Sequence, residues 1–235
     1  MRYGYYGWDP TYILVVIGVI ICLLASAGVK STFRRYSGLR SMSNLTGAQA
    51  AERILHRAGI YDVTIRHVAG NLTDHYDPRN KTLNLSDSVY GSASVAAVGV
   101  AAHECGHAIQ HQKNYAPLSL RSAIVPVANI GSALAWPLIL IGMFFTSQTG
   151  ALFINLGILC FSASVLFQLV TLPVEFNASG RALRILGDTG ILTSEELPKT
   201  RNVLRAAALT YVAGAAASIL QLLRLILLSG GRNDD

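Results

Sequence analysis

Four stretches of the chain are apolar over about 20 residues, the length that a helix needs to cross the hydrocarbon core of a bilayer. The first three contain no charged side chain, and the fourth contains only Arg224, whose long stem can reach the membrane interface. The pattern predicts an α-helical integral membrane protein with four spans, the second and third joined as a transmembrane hairpin over residues 121–172. The four stretches are residues 12–27, 124–145, 151–172 and 206–228.

The overall composition agrees with a membrane protein. Of the 235 residues, 51% are hydrophobic and 14% are charged, and the mean hydropathy is +0.41. This balance excludes an ordinary soluble enzyme. The residues before the first span are aromatic rather than basic, with Tyr3, Tyr5, Tyr6 and Trp8 beside a single arginine. Such a flank is typical of an interfacial aromatic belt, so residues 1–30 are predicted to be an uncleaved anchor and not a signal peptide.

The longest polar segment, residues 31–120, has the patterns of a small α+β domain. Thr46 and Gln49 form a capping-box sequence, which opens a helix that ends at Gly59. Further along, two short stretches alternate as strands and are joined by a turn-rich connection. The segment is therefore predicted to contain a helix, a small sheet and a second, more apolar helix. The two strands and their connection are residues 63–68, 82–86 and 74–78.

The sequence His103-Glu-Cys-Gly-His107 lies in this second helix, in an alanine- and valine-rich run that predicts burial. Four residues are just over one helical turn, so His103 and His107 project from one face and can bind one Zn²⁺. Glu104 flanks that face, where its carboxylate can take a proton from water and pass it to a leaving amine. The motif therefore predicts a zinc hydrolase with Glu104 as the catalytic base.

A catalytic zinc site takes three protein ligands, so one more must come from elsewhere in the chain. His111 stands about 12 Å along the helix from His103, too far to share an ion. Lys113 occupies the position at which metzincins place their third histidine. Glu175 follows the third span on the same side as the motif, and a carboxylate beside an apolar helix needs a partner. We expect His103, His107 and Glu175 to bind one zinc ion per chain.

The remaining acidic and thiol candidates fit structural roles better. Glu196 ends the sequence Thr193-Ser-Glu-Glu, which is typical of a capping box. Cys105 lies two residues from His103 and projects from roughly the opposite side of the helix, so it is expected to be a buried packing residue. Cys22 and Cys160 fall inside spans. No pair suggests a disulfide framework, which indicates a reducing compartment.

Lysine and arginine residues flank the spans on one side of the predicted membrane. The connection between the second and third spans, residues 146–150, has no charge and would lie on the other side. By the positive-inside rule, the site faces the cytoplasm at the cell membrane and both termini lie outside. The basic residues are scattered without interleaved aromatic ones, which argues against nucleic-acid binding. They are Lys30, Arg34, Arg35, Arg40, Lys113, Arg121, Arg181, Arg184, Lys199, Arg201 and Arg205.

The same topology divides the rest of the chain. Residues 173–205 are predicted to be a second cytoplasmic segment of helices that carries the third ligand, with a helix starting at Pro173. Residues 206–235 are predicted to be the last span and a tail. Because the motif and Glu175 each adjoin a span, the expected substrates are peptides or membrane-protein segments that emerge from the lipid bilayer. The sequence does not specify an oligomeric or regulatory partner.

Two stretches carry a more specific resemblance, namely residues 100–111 (VAAHECGHAIQH) and 172–179 (LPVEFNAS). With four spans in this order, they resemble the YugP-type family of bacterial membrane zinc metallopeptidases. More distantly, two histidines and a glutamate separated by a membrane hairpin are similar to the HtpX-type quality-control proteases. In that broader gluzincin pattern, an aspartate four residues after the third ligand often braces a zinc histidine. This chain has Ser179 at that position, so Ser179 or another residue would form the hydrogen bond that holds the zinc histidine.

The resemblance implies a small cytoplasmic zincin-like domain and a gluzincin mechanism in which zinc works with Glu104. An extended substrate would add to an exposed strand edge, and the strand around Asn84 and Leu85 is the expected edge. Tyr211 would donate to the oxyanion, or it would be an interfacial tyrosine at the start of a span. The implied role is membrane-protein quality control or processing.

Two other functions are also compatible with this sequence. A site-2-type intramembrane protease also has this motif in an apolar helix, and Asp188 would be its third ligand. The helix around His103 is short for a span, which disfavours that reading. A non-enzymatic zinc-binding scaffold or transporter would place polar groups opposite one another inside the spans, and these spans contain few.

Overall fold

The computed structural model describes residues 9–145 and 148–230. The predicted aromatic belt before the first span, the first two residues of the uncharged connection and the tail after residue 230 lie outside this part. The described chain contains six helices and three strands. In order they are α1 Tyr12–Ser37, α2 Gly47–Arg57, β1 Thr64–Val68, β2 His75–Asp77, β3 Thr82–Ser86, α3 Val95–Gln112, α4 Ala116–Phe144, α5 Gln148–Asp188 and α6 Leu197–Gly230.

Helices α1, α4, α5 and α6 are each long and apolar enough to cross a membrane, and they cover the four predicted spans except Phe145, which follows the end of α4. This confirms the prediction of four long apolar helices that could span a membrane, with a small sheet elsewhere in the chain. The chain separates into two compact units. An apolar unit comprises the described parts of Met1–Leu24, Arg121–Val170 and Tyr211–Asp235, and an α+β unit comprises Ala25–Leu120 and Thr171–Thr210.

Within the apolar unit, α4 and α5 approach one another through glycines. A Cβ atom at Gly131 would lie 2.6 Å from the carbonyl oxygen of Cys160, and one at Gly157 would lie 2.8 Å from that of Ala135. Small residues permit this close backbone approach, which is a usual basis of helix packing in lipid. The guanidinium group of Arg224, the one charged group of the predicted fourth span, forms an ion pair with Asp9. Its Nη2 lies 3.1 Å from Asp9 Oδ2.

In the α+β unit, the predicted capping box is present at the start of α2. Thr46 Oγ1 accepts from the backbone N–H of Gln49, and the Gln49 side chain accepts from that of Thr46. Both bonds satisfy N–H groups that a helix start leaves unpaired. Helix α2 buries Ile54 and Leu55 completely or nearly so, in a core that also contains residues of β3 and α3.

The sheet differs from the expectation at one connection. Its strand order is β1-β3-β2, with β1 parallel and β2 antiparallel to β3. The stretch that was predicted only as a turn-rich connection thus contains β2, which pairs Tyr76 with Leu83. A three-residue strand is too short to show alternation in sequence, and its pairing with β3 is a tertiary effect.

A second prediction is wrong at Pro173. This residue was expected to start a new helix, but α5 continues through it without a break from Gln148 to Asp188. Proline removes one N–H group and one intrahelical bond. If the helix ended beside the apolar span, several further backbone N–H and C=O groups would lose their hydrogen-bond partners. Continuing the helix through Pro173 therefore costs less free energy than ending it. As a consequence, one continuous helix contains both the third predicted span and the segment with Glu175.

Candidate metal centre

Helix α3 presents the two motif histidines on one face. Its start is fixed by Ser94, whose side chain accepts from the N–H of Ala97 at 3.2 Å. The imidazole rings of His103 and His107 lie 4.8 Å apart between centroids and are nearly perpendicular. Their side chains are only 14% and 12% exposed. The motif therefore lies in a recess of the α+β unit and not on an open surface.

Helix α5 brings Glu175 to this pair. Its Oε2 atom lies 3.3 Å from Nε2 of His103 and 3.6 Å from Nε2 of His107, and its side chain is 3% exposed. Within the described chain, these three residues are the one group of His, Cys, Asp or Glu side chains whose ligand atoms converge, all within 4.8 Å of one another. The structure thus brings together the three predicted ligands, although Glu175 lies 68 positions after His107 along the chain.

The converging atoms fit a zinc ion. Among the described residues, Oε2 of Glu175 is fully buried and has no hydrogen-bond partner. A buried carboxylate oxygen left in this state is costly unless a cation neutralises it. Two imidazole nitrogens and one carboxylate oxygen are the ligand set of many catalytic zinc sites, which keep a fourth position open.

Each histidine is also held from its other ring nitrogen. Nδ1 of His103 lies 3.1 Å from Oγ of Ser179, and Nδ1 of His107 lies 3.0 Å from Oε1 of Gln110. These contacts turn both Nε2 atoms towards Glu175, as zinc-binding histidines require. Ser179 is thus placed to brace His103, at the position where the broader gluzincin pattern has an aspartate.

The electrostatic environment of His107 favours a positive charge. Burial of the ring opposes protonation, but contact with Glu175 and the charges of Glu104 and Glu175 outweigh it and raise the pKa of His107. The same negative groups would favour a bound metal cation. Glu104 lies one residue after His103 on α3 and is 8% exposed, and its carboxylate is not part of the converging ligand set.

A glycine sets the distance between α3 and α5. A Cβ atom at Gly106 would lie 2.6 Å from the carbonyl oxygen of Ala178, a backbone atom that cannot rotate away. Gly106 lies between the two histidines in sequence, and Ala178 lies between Glu175 and Ser179. The close approach at Gly106 is therefore what allows α5 to reach the histidines.

The change Gly106→Ala is expected to push the two helices apart, destabilising the fold by about 1–3 kcal/mol and reducing bound zinc. Gly180→Ala is the matched control, because a Cβ there meets nothing within 4 Å, and the extra methyl should be neutral or stabilise α5 by up to about 1 kcal/mol. Thermal unfolding and zinc analysis of both variants test this. Equal zinc content in the two would show that the helix separation does not control the site.

Several other candidates are not brought to this cluster. Asp188 is exposed at the end of α5, about 20 Å along the helix from Glu175. Cys105 is fully buried with Sγ 3.6 Å from the carbonyl oxygen of Ala51, and burial raises the pKa of its thiol well above the usual value. Glu196 accepts from the N–H groups of Thr193 and Met42, in keeping with a role at the start of α6.

The expected substrate strand requires a correction. Asn84 and Leu85 lie on β3, the central strand, which pairs with β1 along its whole length and with β2 at residues 82–84. The exposures of Asn84 and Leu85 are 8% and 0%. Asn84 is paired on both sides and Leu85 is fully buried, so neither residue lies at an exposed strand edge. Tyr211 belongs to the apolar unit, and its part in catalysis stays a prediction.

Comparison with known proteins assigns the chain. A family model described as "putative neutral zinc metallopeptidase" matches residues 11–230. The chain belongs to this family. It is also 46% identical over 223 residues to a protein of Bacillus subtilis (strain 168) named "Putative membrane protease YugP", covering 94% of this chain and 98% of that protein. The resemblance seen in the sequence is thus confirmed. No solved structure was found to match.

Membership of the family implies zinc, and the His103, His107 and Glu175 cluster is a possible site for it. Of the two residues that contact the histidines from outside this cluster, the sequence predicted Ser179 but not Gln110. Gln110 has a weak signal in retrospect, since it lies three residues after His107 and so on the same face of α3. Its partners on α5 have no such signal.

Proposed function

We propose that the chain is a zinc-dependent endopeptidase that hydrolyses peptide bonds in membrane-protein segments at the cytoplasmic surface of the cell membrane. One observation carries the proposal. A buried carboxylate oxygen of Glu175 without a hydrogen-bond partner lies against the Nε2 atoms of two histidines in an H-E-x-x-H helix. One zinc ion per chain would satisfy all three groups.

The chemistry is divided between the metal and the chain. Zinc in such a site is a Lewis acid that polarises a peptide carbonyl and makes water lose a proton near neutral pH. Glu104 accepts the proton as the water oxygen forms its bond to the carbonyl carbon. It returns the proton to the amide nitrogen as the C–N bond breaks, so that the products are a carboxylate and an amine. His103, His107 and Glu175 act only as ligands.

The edge strand β2 replaces β3 as the proposed substrate-binding edge. It pairs with β3 on one side only in the described sheet, and Tyr76 on β2 contacts α3 through its hydroxyl, 2.9 Å from Nδ1 of His111. Burial, with a smaller contribution from the charges of Asp62 and Asp77, raises the pKa of Tyr76 to about 12, so this hydroxyl stays protonated. An extended peptide that adds to β2 would lie beside the helix that carries Glu104.

The proposed location rests on sequence and on the course of α5. Glu175 follows the apolar stretch of that helix by three residues, and basic residues flank the spans on the same side as the motif. A segment that emerges from the bilayer in an extended conformation would meet the site without having to unfold. Folded soluble proteins should be poor substrates, and the proposed role is therefore membrane-protein quality control or processing.

Orientation can be tested with single cysteines in a background that lacks Cys22, Cys105 and Cys160. A cysteine at Gln148, which is exposed at the start of α5, is expected to react with an impermeant thiol reagent added outside intact cells. A cysteine at Lys113, which is exposed at the end of α3, should react only after the cells are opened. Labelling of position 113 from outside would reverse the topology and remove the cytoplasmic role.

The proposed activity is tested with the purified protein in lipid vesicles. A membrane protein with an unfolded segment next to its span should be cut there, and mass spectrometry should find new amino and carboxyl termini. A folded soluble domain at the same concentration is the control and should stay intact. Cleavage that continues unchanged in the presence of a zinc chelator would contradict the proposal, and so would zinc binding without any cleavage, which indicates a scaffold.

A further inference from the structure

Gln110 is the one fully buried side-chain amide in the described chain that contacts a proposed zinc ligand. Its exposure is 0%, and its side chain makes three hydrogen bonds. Oε1 lies 3.0 Å from Nδ1 of His107, while Nε2 donates to the carbonyl oxygen of Val174 at 2.8 Å and to Oδ1 of Asn177 at 3.0 Å. One amide thus connects a histidine of α3 to the turn of α5 that carries Glu175.

The surroundings fix which way this amide points. A backbone carbonyl such as that of Val174 can only accept a hydrogen bond, so it must face the NH₂ group of Gln110. The hydrogen bonds of Asn177 independently require the same orientation of the Gln110 amide. Its Oδ1 also accepts from Nε of Arg181 at 2.7 Å, and an arginine can only donate. With the Gln110 amide reversed, its oxygen would face two acceptors inside a buried site.

The direction of the amide in turn fixes the proton on His107. With the NH₂ group committed to α5, Gln110 presents only an oxygen to Nδ1, so Nδ1 must carry a hydrogen. A neutral imidazole carries one ring proton, so the Nε2 lone pair is then free and faces Glu175. A histidine without this contact can place its proton on Nε2 and block the metal position.

We propose that Gln110 is a positioning residue that holds His107 with its proton on Nδ1, keeps Nε2 available as a zinc ligand and ties α3 to the third-ligand turn of α5. The proposal rests on the function proposed above, because it assumes that His107 binds zinc. The direction of the constraint is set by Arg181 and by the carbonyl of Val174, so it exists before the metal arrives. Gln110 therefore prepares the site for zinc and does not itself take part in hydrolysis.

Three variants separate this role from simple packing. Gln110→Met keeps the shape of the side chain and removes all three hydrogen bonds, whereas Gln110→Glu keeps an oxygen that can accept from Nδ1. Gln112→Met is the matched control, because Gln112 lies on the same helix but is exposed and bonds to the carbonyl oxygen of Gly59, away from the site.

The direct readout is the tautomer of His107 in the zinc-free protein. Nitrogen NMR of histidine-labelled protein at alkaline pH, with His107 assigned by its loss in His107→Gln, should show the proton on Nδ1 in the wild type. The same result is expected for Gln112→Met and Gln110→Glu, while Gln110→Met should show a mixture of tautomers. A proton that stays on Nδ1 in Gln110→Met would overturn the proposal.

The second readout is zinc affinity, measured by competition with a chelator of known strength. Gln110→Met should bind zinc about tenfold to a hundredfold more weakly than the wild type, the usual effect of removing a group that orients a ligand. Gln110→Glu should recover part of this loss, because it keeps an oxygen that accepts from Nδ1 but loses both hydrogen bonds to α5. Gln112→Met should show no loss. Equal losses in the Met and Glu variants would show that the oxygen facing Nδ1 does not support zinc binding, which would overturn the proposal.

The readouts remain informative if a variant fails to fold or if the zinc site is wrongly assigned. If Gln110→Met does not fold, the tautomer of His107 in Gln110→Glu becomes the test. A proton on Nε2 of His107 in that variant would contradict the proposal. A wild-type protein that binds no zinc would instead defeat the proposed function. The tautomer of the zinc-free protein would then be measured all the same.

Discussion

Replacement of Glu104 by glutamine is expected to leave zinc bound and to slow peptide hydrolysis by at least about a hundredfold. The amide has the shape of the carboxylate and can still form hydrogen bonds, but it cannot accept a proton at neutral pH. Glu104 is outside the converging ligand set, so the metal should not be lost with it. The rate of appearance of new amino termini and the zinc content of the same sample are the two measurements.

Glu52→Gln is the control for this variant. Glu52 is an exposed carboxylate on α2 in the same α+β unit, and its change also removes one negative charge. Its cleavage rate and zinc content should equal those of the wild type. Wild-type cleavage by Glu104→Gln would mean that another group accepts the proton, and loss of zinc in that variant would mean that Glu104 helps to hold the metal.

Replacement of Glu175 by glutamine should have the largest effect on the metal. The change removes the only carboxylate of the proposed ligand set and leaves a neutral amide between two imidazoles. We expect zinc affinity to fall by more than about a hundredfold, beyond the usual effect of removing an outer hydrogen-bonding partner of a ligand. Hydrolysis should fall in proportion to the zinc that is lost.

Asp188→Asn is the matched control, since Asp188 lies on the same helix and is exposed near its end. Its zinc affinity should not change. The opposite pattern, with zinc retained in Glu175→Gln and lost in Asp188→Asn, would support the site-2-type arrangement. That arrangement also needs the motif helix within the membrane, whereas α3 is not among the described helices with the length and composition of a span.

Local patterns explain why much of the fold could be predicted from the sequence. The spans depend on composition over about 20 residues, and the capping box of α2 depends on Thr46 and Gln49 alone. The two histidines of α3 needed only the helical repeat. Glu175 was found by a longer argument, because the predicted topology places it on the motif's side of the membrane and a carboxylate there needs a partner.

The features that were missed depend on tertiary contacts. β2 forms by pairing with residues 82–84 of β3, and this pairing makes β3 the central strand. Asn84 is therefore not at a free edge, and Leu85 is fully buried. Proline favours the first turn of a helix, so Pro173 predicted a helix start. The free-energy cost of ending the preceding helix beside an apolar span is larger than the cost of one proline within a helix. Gln110 could not be assigned before its partners on α5 were known, since its three bonds join residues 64 and 67 positions away as well as His107.

The most direct test of the account is a zinc titration of the metal-free protein in lipid vesicles, with cleavage of a membrane-protein substrate followed at each addition. The account predicts no cleavage without zinc, a rate that rises in proportion to bound zinc, and a plateau at one zinc ion per chain. Cleavage by the metal-free protein, or a plateau of bound zinc that produces no cleavage, would contradict the claim that this cluster is the centre of a zinc peptidase.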